Sequence, residues 1–419
     1  MKFVHAADVH LDSPLHGLER YEGVPVDEMR GATRRALGNL VELCREERAD
    51  CLLLAGDLYD GDWRDFGTGL FFAAQMARLR EAGVRVFVVR GNHDAASRIT
   101  RSLRLPDNVH VFASRRPETV VDERIGLAVH GQSFAKAEVT DDLSAAYPAP
   151  CTGLLNIGLL HTSAGGRPGH ANYAPCRLES LLGRGYDYWA LGHVHAREVL
   201  HEDPWVVFPG NLQGRHARES GPKGCTVVEV DDGRIRSVED RALDVVRWAL
   251  VDVEASGCGS PTEVLERLER ALRFALTDAQ GRVCAARVQV SGRCGAHGAL
   301  LANRETWIAD ARALATDLGS GSLWLEKVRL DTAPETDWAE LASRSGPVAE
   351  LLRDIEALRG DEMRRHRLAA AFADLGAKLP AELKEGDDTF RIDATQIERL
   401  LSSVESLLLP RLLDTESGR

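Results

Sequence analysis

Long hydrophobic runs, paired cysteines and an excess of positive charge are all missing from this 419-residue chain. Each absence removes a class of protein. No uninterrupted apolar stretch approaches the roughly 18 residues that a membrane-spanning helix requires, so no membrane association is expected. Met1-Lys2-Phe3-Val4-His5 runs into polar Asp8 and His10 before any long apolar segment can form, unlike a secretory leader. The eight cysteines contain no CxxC pair and no dense framework, which suits reduced thiols in a cytoplasmic protein rather than a disulfide scaffold. Lys and Arg number 52 against 64 Asp and Glu, for a net charge of −12. Residues 1–240 hold 28 basic and 34 acidic side chains, and residues 241–419 hold 24 and 30. Neither half therefore carries a basic arm that would grip nucleic acid by broad phosphate neutralisation. A local basic groove or a metal-rich pocket stays open.

What is present is the balance of a globular chain, 44% apolar and 28% charged, long enough for two or three domains. Over residues 1–240 short apolar runs alternate with helical patterns. Phe3-Val4, Cys51–Leu54, Val84–Val89, Ile157–Leu160, Tyr188–Leu191 and Trp205–Phe208 read as buried strands. Segments 28–48 and 66–82 repeat apolar residues at three and four, as helices do. Such alternation implies parallel sheet covered by helices. Val109–Val111, Leu127–Val129, Thr226–Val230 and Gly233–Ile235 follow at closer spacing and read as antiparallel additions. The expected fold is α/β, with two mixed sheets between helices. Beyond 240 the pattern changes: strand 244–254, helix 261–276, strand 283–290, helix 301–315 and a strand near 323–328 make a small α+β domain over 241–332. Residues 333–419 read as helical. Val348, Leu351, Leu352, Ile355 and Leu358 lie on one helix face, and Asp393–Gln396 caps a second helix bearing Ile397, Leu400, Leu401, Val404 and Leu408.

Five polar clusters each follow an apolar run directly. They are Asp8-Val9-His10, Gly56-Asp57, Gly91-Asn92-His93-Asp94, His161 and Gly192-His193-Val194-His195. Loops gather at the carboxyl ends of strands in open α/β sheets, so clusters in these positions converge on one site. Carboxylate, imidazole and amide donors without a thiolate suit Mn²⁺, Fe²⁺ or Zn²⁺. Each piece alone is common, since a GNH or GH turn needs no metal and a lone strand-end histidine is ordinary. The ordered set of five is not. His5 and His130 lie within strands and read as core residues.

This order resembles the calcineurin-like metallophosphoesterase superfamily, with its DxH, GD, GNH[DE], H and GHxH signature, over roughly residues 1–240. The resemblance implies an αββα sandwich holding two divalent metal ions, most simply Mn²⁺. It implies Asp8, His10, Asp57 and His195 on the first ion, with Asp57 bridging. Asn92, His161 and His193 would complete the second. His93 would stand by the scissile phosphate as general acid or transition-state stabiliser, oriented by Asp94.

Asp8–Leu15, Gly56–Asp60 and the Arg90–Arg104 stretch, with the 241–332 region as a capping domain, are similar to the DNA repair exonuclease branch of SbcD/YhaO-like nuclease subunits. That similarity implies a Mn²⁺-dependent 3′ to 5′ exonuclease with single-strand endonuclease activity. It also implies DNA as partner, an ATPase subunit of the structural-maintenance (SMC) type, and a homodimer. Arg98, Arg101, Arg215 and Arg218 are the candidate phosphate contacts. Many relatives in this branch carry a histidine in the loop where this chain has Asp60-Gly61-Asp62, and Asp60 reads as a solvated loop acid. Two other functions remain open: a small-molecule or nucleotide phosphodiesterase of the same fold, and an adaptor that holds an ATPase. The leucines from Leu407 to Leu413 could pack on their own domain or meet a partner.

Overall fold

The computed structural model describes residues 1–13, 31–60, 66–96, 104–166, 172–335, 341–343 and 345–372, with isolated helical positions between 397 and 412. Arg98, Arg101 and the expected cap at Asp393 lie outside the described residues. Two compact units emerge. One comprises Met1–Ala249 with Thr277–Ala286, and the other Leu250–Leu276 with Arg287–Arg419.

The first unit is built on two six-stranded mixed sheets. One contains β1 (Lys2–Ala6), β2 (Cys51–Ala55), β3 (Arg85–Val89), β4 (Val109–Val111), β11 (Gly224–Asp231) and β12 (Arg234–Ala242), in the order β12-β11-β1-β2-β3-β4. The other contains β5 (Glu118–Asp122), β6 (Leu127–Gly131), β7 (Leu155–His161), β8 (Tyr188–Gly192), β9 (Glu198–Glu202) and β10 (Trp205–Phe208), in the order β5-β6-β7-β8-β10-β9. The apolar runs are continuous because these strands are covered on both faces. In β2, Leu52 and Leu54 face one way, against Leu37, Leu40 and Val41 of helix α1 (Ala32–Glu46) and Met76 and Leu79 of helix α2 (Phe66–Glu81). Cys51, Leu53 and Ala55 face the other way and meet Leu127, Ile157, Leu159, Tyr188 and Val207 of the second sheet. The outer face of that sheet packs Leu160, Trp189, Leu191 and Phe208 against Leu181 of the short helix α4 (Leu178–Leu182). Helix, sheet, sheet and helix thus form four layers with three cores, the fold the sequence leads one to expect.

Two details differ from the sequence reading. β4 pairs parallel with β3, and β6 pairs parallel with β7 on one side and antiparallel with β5 on the other, whereas close spacing along the chain suggested antiparallel additions. β5 and β9 are edge strands whose residues are mostly half-buried or exposed, so no apolar run announces them. Antiparallel pairing does hold for β11 with β12 and with β1.

In the second unit, helix α5 (Pro261–Asp278) buries Val264, Leu268 and Leu272. Strands β13 (Val246–Glu254), β14 (Val283–Arg293) and β15 (Leu323–Ala333) form a three-stranded sheet. Helices α6 (His297–Ala302) and α7 (Arg304–Gly319) lie between β14 and β15 along the chain, and helix α8 (Pro347–Gly360) is followed by α9 (Glu362–Ala371). The sequence reading passed over α9, whose arginines at 364, 365 and 367 leave it without an apolar stripe. Ile355 and Ala369 pack with Ile397 and Leu401. No helix among the described residues is long and apolar enough to cross a membrane.

The two sheets come close together at their carboxyl ends. A Cβ added at Gly192 would stand 1.9 Å from the Ala55 carbonyl oxygen of the opposite sheet. That carbonyl is backbone and cannot swing aside. Gly192→Ala is expected to cost about 1–3 kcal/mol through overpacking. A urea titration would show this as a lower midpoint at unchanged slope, and an unchanged midpoint would mean the sheets can part here without penalty.

Candidate metal centre

Five strand ends supply the site. Asp8 and His10 follow β1, Asp57 follows β2, and Asn92–Asp94 open the short helix α3 (Asn92–Ala96) after β3. His161 ends β7, and His193 and His195 follow β8. The sheets are stitched together at this edge, where His161 Nδ1 donates to Ala55 O at 2.8 Å.

The backbone is bent sharply to turn the donors inward. Asp8, His10, Asp57 and His193 all have positive φ, at 50°, 43°, 51° and 104°. Left-handed geometry at such residues costs of order 1–3 kcal/mol each, so the surroundings must hold it. They do: Asp8 N donates to Gly56 O and His10 N to Asp57 O, both at 3.0 Å. His193 N donates to both Asp8 carboxylate oxygens, at 3.1 and 2.9 Å. Asp57 Oδ1 accepts from His93 N at 3.0 Å. Gly91 sits so close that a Cβ there would lie 2.2 Å from that same oxygen.

Two groups of donor atoms line the pocket, each within 4.8 Å internally, Asp8, His10 and His195, and Asp57, His161 and His193, and a third such group, His10, Asp60 and His93, stands beside them. The protonation pattern within them accommodates a cation. A carbonyl only accepts, so His161 Nδ1 donates to it, and Nε2 faces Asn92 Oδ1 at 3.1 Å and Asp57 Oδ2 at 3.5 Å, a place for a proton or for a cation in its stead. In the other group His10 Nε2 and His195 Nε2 face each other at 3.2 Å. Nitrogens bonded to one ion at about 2.1 Å stand near this separation. His10 Nδ1 is turned to the Asp60 carboxylate, 3.5 Å from its Oδ1. The donors fit divalent metal.

Their electrostatics point the same way. Burial works against a charged His161, but the Asp57 carboxylate outweighs it and lifts the ring to about 9. Burial lifts Asp8 to about 6. Burial also opposes a charged Asp57, yet the imidazoles of His161, His10 and His93 hold it well below the usual carboxylate range. In the metal-free chain His161 is the positive partner of Asp57, and a bound cation would take over that role from its second proton.

His93 differs from the buried donors, with its side chain 38% exposed beside the Asp60 carboxylate, Nδ1 to Oδ1 3.2 Å. Asp94 turns away from that ring. Its oxygens accept from Tyr59 N at 3.1 Å and Gly91 N at 3.0 Å, which braces the turn. The orienting contact that the resemblance gave to Asp94 is made by Asp60. Nor is Asp60 the solvated loop acid its sequence context suggests, being 27% exposed and 3.5 Å from His10 Nδ1. It accepts from Ser13 Oγ at 2.8 Å and lies 3.6 Å from Arg215 Nη1. Arg215 thus reaches the site mouth, whereas Arg218 is exposed. His5 and His130 are core residues, partnered by Tyr188 and Leu191 and by Thr119 and Asn156.

Sequence reasoning missed Glu219, which is buried and receives His195 Nδ1 at 2.6 Å. It missed the aromatic wall too, where the Phe134 and Tyr173 rings stand 5.4 and 5.7 Å from His161 and His193. No motif flags either, because both arrive from loops distant in sequence.

Comparison with known proteins follows this geometry. Residues 1–197 match the family described as calcineurin-like phosphoesterase, and residues 248–333 match the middle domain of metallophosphoesterase YhaO. The uncharacterized metallophosphoesterase YhaO of Bacillus subtilis is 35% identical over 273 residues, 64% of this chain and 67% of that protein. Two archaeal proteins named DNA double-strand break repair protein Mre11 are more distant. That of Methanopyrus kandleri is 28% identical over 65% of this chain and 62% of its own length. That of Haloferax volcanii is 24% identical over 66% and 59%.

The Asp60 contact, the largest influence on His93, raises the affinity of that ring for its proton above the ordinary histidine value. Asp60→Asn is therefore expected to lower the His93 midpoint. An NMR titration of the imidazole resonances in metal-free protein measures it, and a midpoint that stays put would remove Asp60 as the cause.

Proposed function

The chain belongs to the calcineurin-like phosphoesterases, metal-dependent hydrolases whose fold holds two divalent ions, and from that premise we propose that it cleaves the phosphodiester backbone of DNA. Asp8, His10, Asp57 and His195 would hold one ion, and Asp57, Asn92, His161 and His193 the other. When bound, two such ions supply an activated water at neutral pH and positive charge against the phosphoryl oxygens. Mn²⁺ is the proposed ion, because the donors are carboxylate, imidazole and amide without thiolate, and Fe²⁺ or Zn²⁺ would suit the same set.

The remaining work falls to the chain's own side chains. His93, half-exposed at the mouth and fixed by Asp60, is placed to protonate the leaving oxygen or to stabilise charge on it. Arg215 presents a guanidinium that can take a phosphate in bidentate fashion. Arg218 lies further out, and Arg98 and Arg101 join the proposal on their place in the sequence alone. Asp94 keeps the turn that carries Asn92 and His93 rigid.

The observation that favours DNA over a small ester is the similarity to two relatives named for DNA double-strand break repair, over about two thirds of this chain. On that basis the activity is proposed as 3′ to 5′ exonuclease with single-strand endonuclease action in repair. An SMC-type ATPase subunit is the proposed partner at the helical region 333–419, and a homodimer the proposed assembly. Val404, Leu408 and Leu412, each at a helical position, are exposed at four-residue spacing, a row suited to a partner helix.

The test is cleavage of end-labelled duplex DNA beside bis-p-nitrophenyl phosphate in Mn²⁺. Asp57→Ala is expected to abolish hydrolysis and weaken metal binding. His93→Ala is expected to slow it about 10²–10⁴-fold with metal binding intact. Full activity in both variants contradicts the site assignment, and hydrolysis of the small ester with DNA untouched contradicts the substrate.

A further inference from the structure

We propose that Glu219 is the positioning residue of the first metal site, setting the tautomer and orientation of His195 and making that site the tighter of the two. The inference rests on the two-ion reading above. Glu219 is 8% exposed, and its two oxygens divide their work. Oε1 receives His195 Nδ1 at 2.6 Å. Oε2 accepts from Asn211 Nδ2 at 2.9 Å and from the Arg215 backbone N–H at 2.7 Å. The guanidinium of Arg215 and the ring of His216 stand 3.7 and 3.6 Å from Oε1.

A carboxylate only accepts, so His195 must carry its proton on Nδ1 and offer a lone pair from Nε2. Nε2 is the atom turned toward His10. A carboxylate behind a ligating imidazole also increases its electron donation, a pairing that typically contributes 10–100-fold to metal affinity. The second site offers a contrast within the same molecule. The His161 ring is backed by the Ala55 carbonyl, a neutral acceptor. His195 therefore has a charged orienting group behind it where His161 has an uncharged one.

Glu219 is held by its own loop. Asn211 Nδ2 also donates to Gln213 O, and the Gln213 side chain bonds the backbone of Val245 and Val246. Trp248 Nε1 donates to Gly214 O at 2.9 Å. A loop clamped at several points can present one carboxylate oxygen to His195 at a fixed distance.

Isothermal titration of metal-free protein with Mn²⁺ tests this, with Glu219→Gln as the variant. Wild type is expected to bind two ions of unequal affinity. The variant should bind the tighter one about 10–100-fold more weakly and the other unchanged. General loosening of the fold would weaken both ions alike, so equal weakening of the two overturns the proposal, as does unchanged affinity at both. Thermal melts in chelator establish that the variant is folded. If it is not, Glu219→Asp, which keeps the charge but falls short of His195, should give the same selective loss. Failure of wild type to bind two ions would instead strike the two-ion reading itself.

Discussion

The structure depends on bringing the carboxyl ends of two separate sheets within hydrogen-bonding distance. His161 ends a strand of one sheet and donates to Ala55 at the end of a strand in the other, and Gly192 passes that same carbonyl with no room for a methyl group. Everything in the site follows from this approach. Sheets stacked face to face ordinarily lie about 10 Å apart with side chains between, and donors from different sheets could not then share an ion. Here the interleaved core of Phe3, Leu53, Phe87, Ile157 and Tyr188 keeps the sheets in register, while small residues at the rim let the backbones close.

The cost of that convergence is electrostatic. Asp8, Asp57 and Asp94 are all at least 98% buried, and buried carboxylates without counter-charge are strongly disfavoured. Asp94 is satisfied by backbone N–H groups, a structural solution. Asp57 is satisfied by imidazoles and the His93 backbone N–H, and Asp8 by the His193 backbone N–H alone. Two divalent ions would bring four positive charges against the two negative ones of Asp8 and Asp57, making the pocket positive inside a chain of net charge −12. A locally positive pocket reconciles an acidic protein with an anionic substrate, and Arg215 at the mouth adds to it.

The donors were legible in the sequence because each directly follows an apolar run, and a buried strand that ends abruptly in Asp, Asn or His marks a functional turn. The core was legible for the same reason, since doubly covered parallel strands read as unbroken Val, Leu and Ile. The edge strands β5 and β9 were not, because half-exposed strands lose that signal. Nor was the pairing of β4 and β6, since direction in a sheet depends on where the chain crosses over and not on composition. Asp60 and Glu219 were illegible as site residues for a different reason. They act on a histidine ring through space, Asp60 on His93 and Glu219 on His195, and no local spacing encodes that contact.

Anomalous diffraction at the manganese edge from crystals grown with Mn²⁺ tests the central claim most directly. Two peaks are expected, one among Asp8, His10 and His195 and one among Asn92, His161 and His193, with the Asp57 carboxylate between them. A single peak, or density away from Asp57, would contradict a two-ion centre built by the meeting of the sheets.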